Sequence, residues 1–368
     1  MCRSRRRRFG IRELSLFPGA LVALLLLLSS IESAAQQSTY QNVLQTPRVI
    51  GLASAAPLMK IAPPVPQIDP RTLLRIPVTV IDEAGRCVRS LDARDFSLSV
   101  DGDDSPIALF RPASSAALGI LVDISQSMEF KSFSGRTFSK LPLIQAAAKS
   151  IIDKLGSHDS VFLATFARRF HIIDGYTSDH ERLDERLPEL RVTDQIDDFD
   201  GSGICESMIK GVTVLTHAPQ SCARKALLVF TDGDYDTSSH GAEDVIAKAQ
   251  FAGVTIYNIV IRGFRIEADA YSIRLGPGKI ASETGGLTFV VNWLDDDLLA
   301  SAIDSIATDL DNQYLLGFAV SPWSSGALSV ELMLHNHPGM HTRAPRVVRF
   351  RPQDLANDLP PPLPILPE

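Results

Sequence analysis

Cysteine is scarce, with 4 residues in a chain of 368, which excludes a small scaffold held together by disulfides. An excess of basic charge is missing as well. Lys and Arg total 36 against 43 Asp and Glu. Six of the Arg fall within residues 1–35, where only Glu13 and Glu32 oppose them, so the rest of the chain sets 30 basic against 41 acidic side chains. A surface that acidic repels phosphate backbones and sets nucleic acid aside as a partner. After the N-terminal region there is no second long apolar run, so no stable membrane span is expected once that region is removed. Also missing, in the context each requires, are G-x-S-x-G, H-E-x-x-H, a Walker loop and G-x-G-x-x-G. What the chain does have is 45% hydrophobic and 21% charged residues, ample for a packed core.

The first 35 residues read as an export signal. Arg3 and Arg5 to Arg8 form a basic start, residues 14–28 run almost uncharged through a leucine-rich stretch, and Ser33-Ala34-Ala35 precede Gln36. Cleavage after Ala35 is expected. The alternative is a retained anchor, although about 15 apolar residues fall short of the roughly 20 that span a bilayer. Export places the mature chain in the periplasm, the outer envelope or the medium. Cys87, Cys205 and Cys222 remain after cleavage. In an oxidising compartment Cys205 and Cys222, bracketing one expected helix, are the candidate disulfide, with buried free thiols the equal alternative.

Residues 36–70, rich in Ala, Pro and Gln, read as a flexible leader. Residues 71–112 alternate apolar and polar positions over 74–82, 96–100 and 107–110, the pattern of a small β module. Across 113–312, apolar strands at 117–124, 161–166, 226–231, 255–260 and 287–291 alternate with amphipathic helices at 141–155, 181–187, 204–215, 243–251 and 295–310. Residues 169–173 follow the second strand too closely for a crossover helix, so they should pair antiparallel at a sheet edge. The expected fold is α/β, a doubly wound and mainly parallel sheet with one antiparallel edge strand. Residues 313–352 return to strand alternation and should join the N-terminal strands in one β subdomain built from both flanks. Residues 353–368 form a Pro-rich tail.

The chemistry gathers at strand ends. The first apolar strand runs into Asp123-Ile124-Ser125-Gln126-Ser127, a D-x-S-x-S run that offers one carboxylate and two hydroxyls where ligands collect in open α/β sheets. Another strand ends in Thr231-Asp232-Gly233, and Gly201-Ser202-Gly203 opens a helix with a further hydroxyl. Asp123, Ser125, Ser127, Ser202 and Asp232 together make an all-oxygen set. Mg2+ suits such a set, with Mn2+ or Ca2+ as alternatives, because a hard cation takes oxygen ligands and Mg2+ keeps several waters.

These residues resemble the von Willebrand factor type A (VWA) domain with its metal-ion-dependent adhesion site (MIDAS), over about residues 117–310. The resemblance implies a Rossmann-like fold in which Asp123, Ser125, Ser127, Ser202 and Asp232 surround the metal. Ser202 stands where the family has Thr; it keeps the hydroxyl and loses the methyl that restrains χ1. The flanks SLDARDFSLSVDG and LDNQYLLGF also look like a bacterial subgroup of secreted VWFA-related proteins. The function implied is adhesion or scaffolding, with a Glu or Asp of a partner protein completing the metal shell, and no catalysis. The opposing readings are a metal-assisted hydrolase, for which Asp234, Asp236 and His240 are the available bases, and a structural envelope protein with a vestigial site. Asp194, Asp197, Asp198 and Asp200 read as a solvated acidic loop. His335, His337 and His341 read as surface residues at a turn rather than metal ligands.

Overall fold

The computed structural model describes residues 73–112, 115–131, 135–192, 203–219, 222, 224–233, 238–262, 276–320 and 326–350. The export signal, the leader, the acidic loop, Ser202, Asp234, Asp236 and the tail lie outside the described residues.

The chain opens with β1 (Leu73–Ile81), β2 (Phe96–Val100), β3 (Asp103–Ser105) and β4 (Ile107–Arg111). It then enters an α/β region through β5 (Ala116–Asp123), a hairpin of β6 (Glu129–Lys131) and β7 (Thr137–Ser139), α1 (Leu141–Asp153), β8 (Ser160–Phe166), β9 (Phe170–Thr177) and α2 (His180–Arg186). Next come α3 (Ile204–Thr216), β10 (Arg224–Thr231), α4 (Ala242–Ala252), β11 (Val254–Arg262), α5 (Pro277–Thr284), β12 (Thr288–Asn292) and α6 (Asp296–Asn312). The chain leaves this region through β13 (Tyr314–Ala319), β14 (Gly326–Leu334), β15 (His341–Arg343) and β16 (Val347–Phe350).

The central sheet has the order β12-β11-β10-β5-β8-β9. Every pairing in it is parallel except β8 with β9, the antiparallel edge that the short 169–173 spacing requires. All residues of β5, β8 and β10 but Lys225 are buried. That is why these strands read as continuous apolar runs rather than alternations. One face packs on α1 and α6 through Ile144, Ile151, Ile303 and Ile306, the other on α3 and α4 through Met208, Val212, Val245 and Ala249. Gly119 in β5 is a close-approach position, since a Cβ there would meet the Phe162 ring at 2.5 Å and Leu227 at 2.8 Å. α5 was not expected because Gly276-Pro277-Gly278 reads as a loop. Pro277 instead occupies the first turn, where its missing N–H is not needed.

The flanking strands form two four-stranded sheets, β15-β1-β13-β4 and β16-β14-β2-β3, with Leu74, Ile76, Leu316 and Phe318 of one packed with Phe96, Leu98, Val330 and Val348 of the other. The β subdomain is thus built from both flanks. Asp309 near the end of α6 joins it to the α/β domain: its buried carboxylate accepts from Thr79 of β1 at 2.7 Å and Tyr257 of β11 at 2.5 Å, and pairs with Arg343 of β15. Gln250 of α4 adds a second tie, donating to the Val347 carbonyl at 2.6 Å and accepting from the Arg349 amide at 2.7 Å.

The Cys205 to Cys222 pairing is corrected by this geometry. Both are buried thiols with no disulfide between them. Cys205 lies in the first turn of α3 and Cys222 beyond its far end, so the helix rise of about 1.5 Å per residue separates them well past the roughly 7 Å that a disulfide tolerates between Cα atoms.

Candidate metal centre

Within the central sheet the next strand after β5 is β8, on one side of it, and β10 then returns to the other side of β5. The crevice at the carboxyl ends of β5 and β10 is therefore the topological switch point, where open α/β sheets bind ligands. Asp123 is the last residue of β5, and Asp232 follows the last residue of β10.

The D-x-S-x-S run folds into a tight turn as it leaves β5. The Ser125 amide and hydroxyl both donate to Asp123 Oδ1, at 2.9 and 2.6 Å, the local bonding that Asp favours at turns. Ser127 Oγ lies 3.0 Å from Ser125 Oγ. Across the crevice, Thr231 Oγ1 donates to Asp123 Oδ2 at 2.9 Å and accepts from the Gly233 amide at 3.0 Å. Gly233 has φ 72°, so the T-D-G turn uses a residue without a Cβ where the backbone enters the left-handed region. Asp123, Ser125 and Asp232 are all buried.

Two buried carboxylates at one crevice repel each other. Burial first, and then the Asp232 charge, push Asp123 up to about 7, against the lowering effect of its bonds from Ser125 and Thr231. One cation from the protein answers part of this charge. Lys140, 1% exposed, donates from Nζ to Asp232 Oδ2 at 2.9 Å and to the Ser127 carbonyl at 3.1 Å. Lys140 is a site residue that motif reading passed over. The signal was present: Lys140 is the N-cap of α1, where a helix presents its positive end and favours acids. A lysine at that position needs a nearby carboxylate to offset both the dipole and the burial.

The structure thus brings together four of the five residues expected at the metal: Asp123, Ser125, Ser127 and Asp232. The fifth, Ser202, lies outside the described residues; its neighbour Gly203 is tied to the same edge by its amide, which donates to the Ala167 carbonyl just past β8 at 2.8 Å. Of the bases considered for hydrolysis, His240 is engaged with Ser239 at 3.2 Å and Glu206 at 3.7 Å. His337 pairs with Asp95 at 3.1 Å, and His341 begins β15. Among the described residues no three His, Cys, Asp or Glu side chains converge as a metal group. The crevice instead offers two carboxylates with hydroxyls, a donor set of hard oxygens carrying more negative charge than Lys140 neutralises, which fits a hard divalent cation.

Residues 118–234 match the family profile of the von Willebrand factor type A domain. The chain carries a VWA domain. An uncharacterized protein of Borreliella burgdorferi is 27% identical over 194 residues, covering 48% of this chain and 54% of that protein. The chain thus spans about half the length of the curated relative it matches. Among solved structures, BatB of Bacteroides thetaiotaomicron is 20% identical, covering 52% of this chain and 99% of its own with a TM-score of 0.39. A von Willebrand factor type A protein of Catenulispora acidiphila is 13% identical, covering 77% and 75% with a TM-score of 0.43. The mainly parallel sheet with its antiparallel edge is the fold of a VWA domain, and the role that accompanies such a domain is protein interaction or adhesion.

Proposed function

We propose that this chain is an exported, metal-dependent protein-binding module that uses its VWA domain for adhesion or scaffolding and carries out no turnover. The observation that supports this reading most is the convergence of Asp123, Ser125, Ser127 and Asp232 at the switch point of the parallel sheet. These residues, with Ser202, would hold a divalent ion, with Mg2+ the first choice and Mn2+ or Ca2+ the alternatives. When bound, the ion supplies a Lewis-acidic position for a Glu or Asp carboxylate of a partner protein. The protein's own residues prepare that position. Asp123 is fixed by three hydrogen bonds, Ser125 and Ser127 are held side by side, and Lys140 orients Asp232. The Arg-rich and Leu-rich first 35 residues support export. Among the described residues no helix is long and apolar enough to cross a membrane.

The test is capture from an envelope extract with Mg2+ or with EDTA, using wild type and Asp123→Ala. The expected result is a partner retained by wild type in Mg2+ alone and released unaltered by EDTA. Equal capture by both proteins in both buffers would remove the metal from the mechanism, and a chemically changed partner would move the chain to the hydrolase class.

A further inference from the structure

The carboxyl edge of the central sheet carries an apolar surface as well as the metal crevice, and one hairpin joins the two. The β6–β7 hairpin is inserted between the D-x-S-x-S turn and α1. Its base is closed by the Lys140 amide, which donates to the Met128 carbonyl at 2.9 Å, while the Lys140 side chain reaches Asp232. Two residues before Lys140, the Phe138 ring meets the Trp293 ring with centroids 5.4 Å apart. Trp293 follows β12, and its amide donates to the carbonyl of Arg262, the last residue of β11, at 3.0 Å. The hairpin therefore runs from the crevice to the end of the edge strand β12.

Beyond Trp293 the apolar surface is open. Leu294, at 64%, is the most exposed large apolar side chain among the described residues, and Leu298 in the first turn of α6 is 40% exposed. They stand on either side of Asp295, the N-cap of α6, whose carboxylate accepts the Leu298 amide at 3.0 Å and fixes the turn between them. Single apolar residues scattered over a surface are ordinary. Two leucines next to an aromatic pair, at the edge that also holds Asp123 and Asp232, have instead the composition of an interface core. Asp296 and Asp297 in the same turn are exposed, so the rim of this ledge is acidic and complements a basic group.

We propose that the ledge of Leu294 and Leu298 is the second half of the partner site: it takes a bulky apolar side chain from the same extended partner segment whose carboxylate completes the metal shell, with a Lys or Arg of that segment facing Asp296 and Asp297. The inference rests on the metal-dependent reading above and adds the class of partner, a segment that presents an acidic, an apolar and a basic residue in that order outward from the metal. The sheet sets the spacing. In the order β12-β11-β10-β5, the crevice between β5 and β10 and the ledge beyond β12 are about two and a half strand spacings apart, roughly 12 Å, which an extended chain covers in three or four residues.

The experiment selects binders of the full chain, in Mg2+ and in EDTA, from a peptide library with one fixed Glu flanked on each side by six randomised positions. Expected are peptides retained in Mg2+ alone, enriched in Leu, Ile, Phe or Met three or four residues from the Glu and in Lys or Arg beyond. The double variant Leu294→Ser, Leu298→Ser changes exposed side chains and leaves the core intact. It should keep the dependence on Mg2+ and Glu, lose the apolar preference, and bind a selected peptide at least tenfold more weakly, since each leucine loses the burial of its side chain. Retention that needs Mg2+ and Glu but shows no apolar preference, or the same preference in the double variant, would overturn the ledge and leave the metal-dependent reading standing. Absence of any Mg2+-dependent retention would remove that reading and the ledge with it. A wild-type dimer in sedimentation that Leu294→Ser dissociates would assign the ledge to a second copy of the chain and would also overturn the proposal.

Discussion

Asp123 is the residue on which the metal crevice turns, and its environment makes a pH-dependent prediction with a definite sign. Its folded-state pKa, about 7, lies above the unfolded carboxylate value. In EDTA its contribution to stability is therefore present at acid pH and is lost as pH rises through 7. The melting temperature of the metal-free protein should fall between pH 5 and pH 8, and Asp123→Asn should flatten this component. Mg2+ affinity should change in the opposite direction, rising over the same interval, because the ligand must lose its proton before it binds. Calorimetry at pH 5.5 and pH 8 checks both. Lys140 gives the complementary prediction. Lys140→Met removes the Lys140 charge from buried Asp232, and breaking such a pair costs about 3–5 kcal/mol. Metal-free Lys140→Met should be destabilised by an amount of that order, and Mg2+ should raise its melting temperature more than that of wild type. A smaller Mg2+ effect on the variant would mean that Lys140 assists the ion rather than standing in for part of its charge. At this scale the sequence was legible where a short motif fixes its own geometry, as in the D-x-S-x-S turn. It was not legible for Thr231, whose contact with Asp123 spans 108 positions, and for Lys140 only the N-cap position hinted at a carboxylate, the contact with Asp232 itself spanning 92 positions.

Among the elements, α6 does more than cover a sheet face. Its Asp309 collects a hydroxyl from β1, a phenol from β11 and a guanidinium from β15, so three elements from three parts of the chain share one carboxylate. Asp309→Ala would strand the Arg343 charge and two hydroxyls, and a loss of about 3–5 kcal/mol is expected on the grounds used for any broken buried pair. Denaturant unfolding measures it, and the free energy should fall without loss of the parallel sheet's circular dichroism at low denaturant. Element reading from sequence succeeded where periodicity was strong. The buried strands β5, β8, β10 and β11 and the amphipathic α1, α3 and α6 fall within a few residues of their expected places. It failed for α5, whose Gly and Pro residues carry loop signals while Gly276 and Gly285 in fact cap the helix at its two ends. The disulfide failed for a related reason: proximity in sequence around a helix is distance along its axis.

At the scale of the whole molecule, the chain enters the VWA domain directly after β4 and leaves it into β13, and these two strands are hydrogen-bonded neighbours, with Arg111 opposite Leu315 and Phe110 opposite Leu316. That arrangement was readable only as the return of strand alternation on the far side of the α/β region; the pairing itself depends on contacts about 200 residues apart. Its consequence is mechanical. The VWA domain is held by a double stem at the amino end of β5, while Asp123 and Asp232 stand at the carboxyl end of the same sheet. On the proposed function, a pull on a partner seated at the metal crevice would travel the length of the parallel strands and reach the β subdomain through two adjacent strands, with the Asp309 and Gln250 ties beside them. Neither strand has to be peeled from its sheet alone.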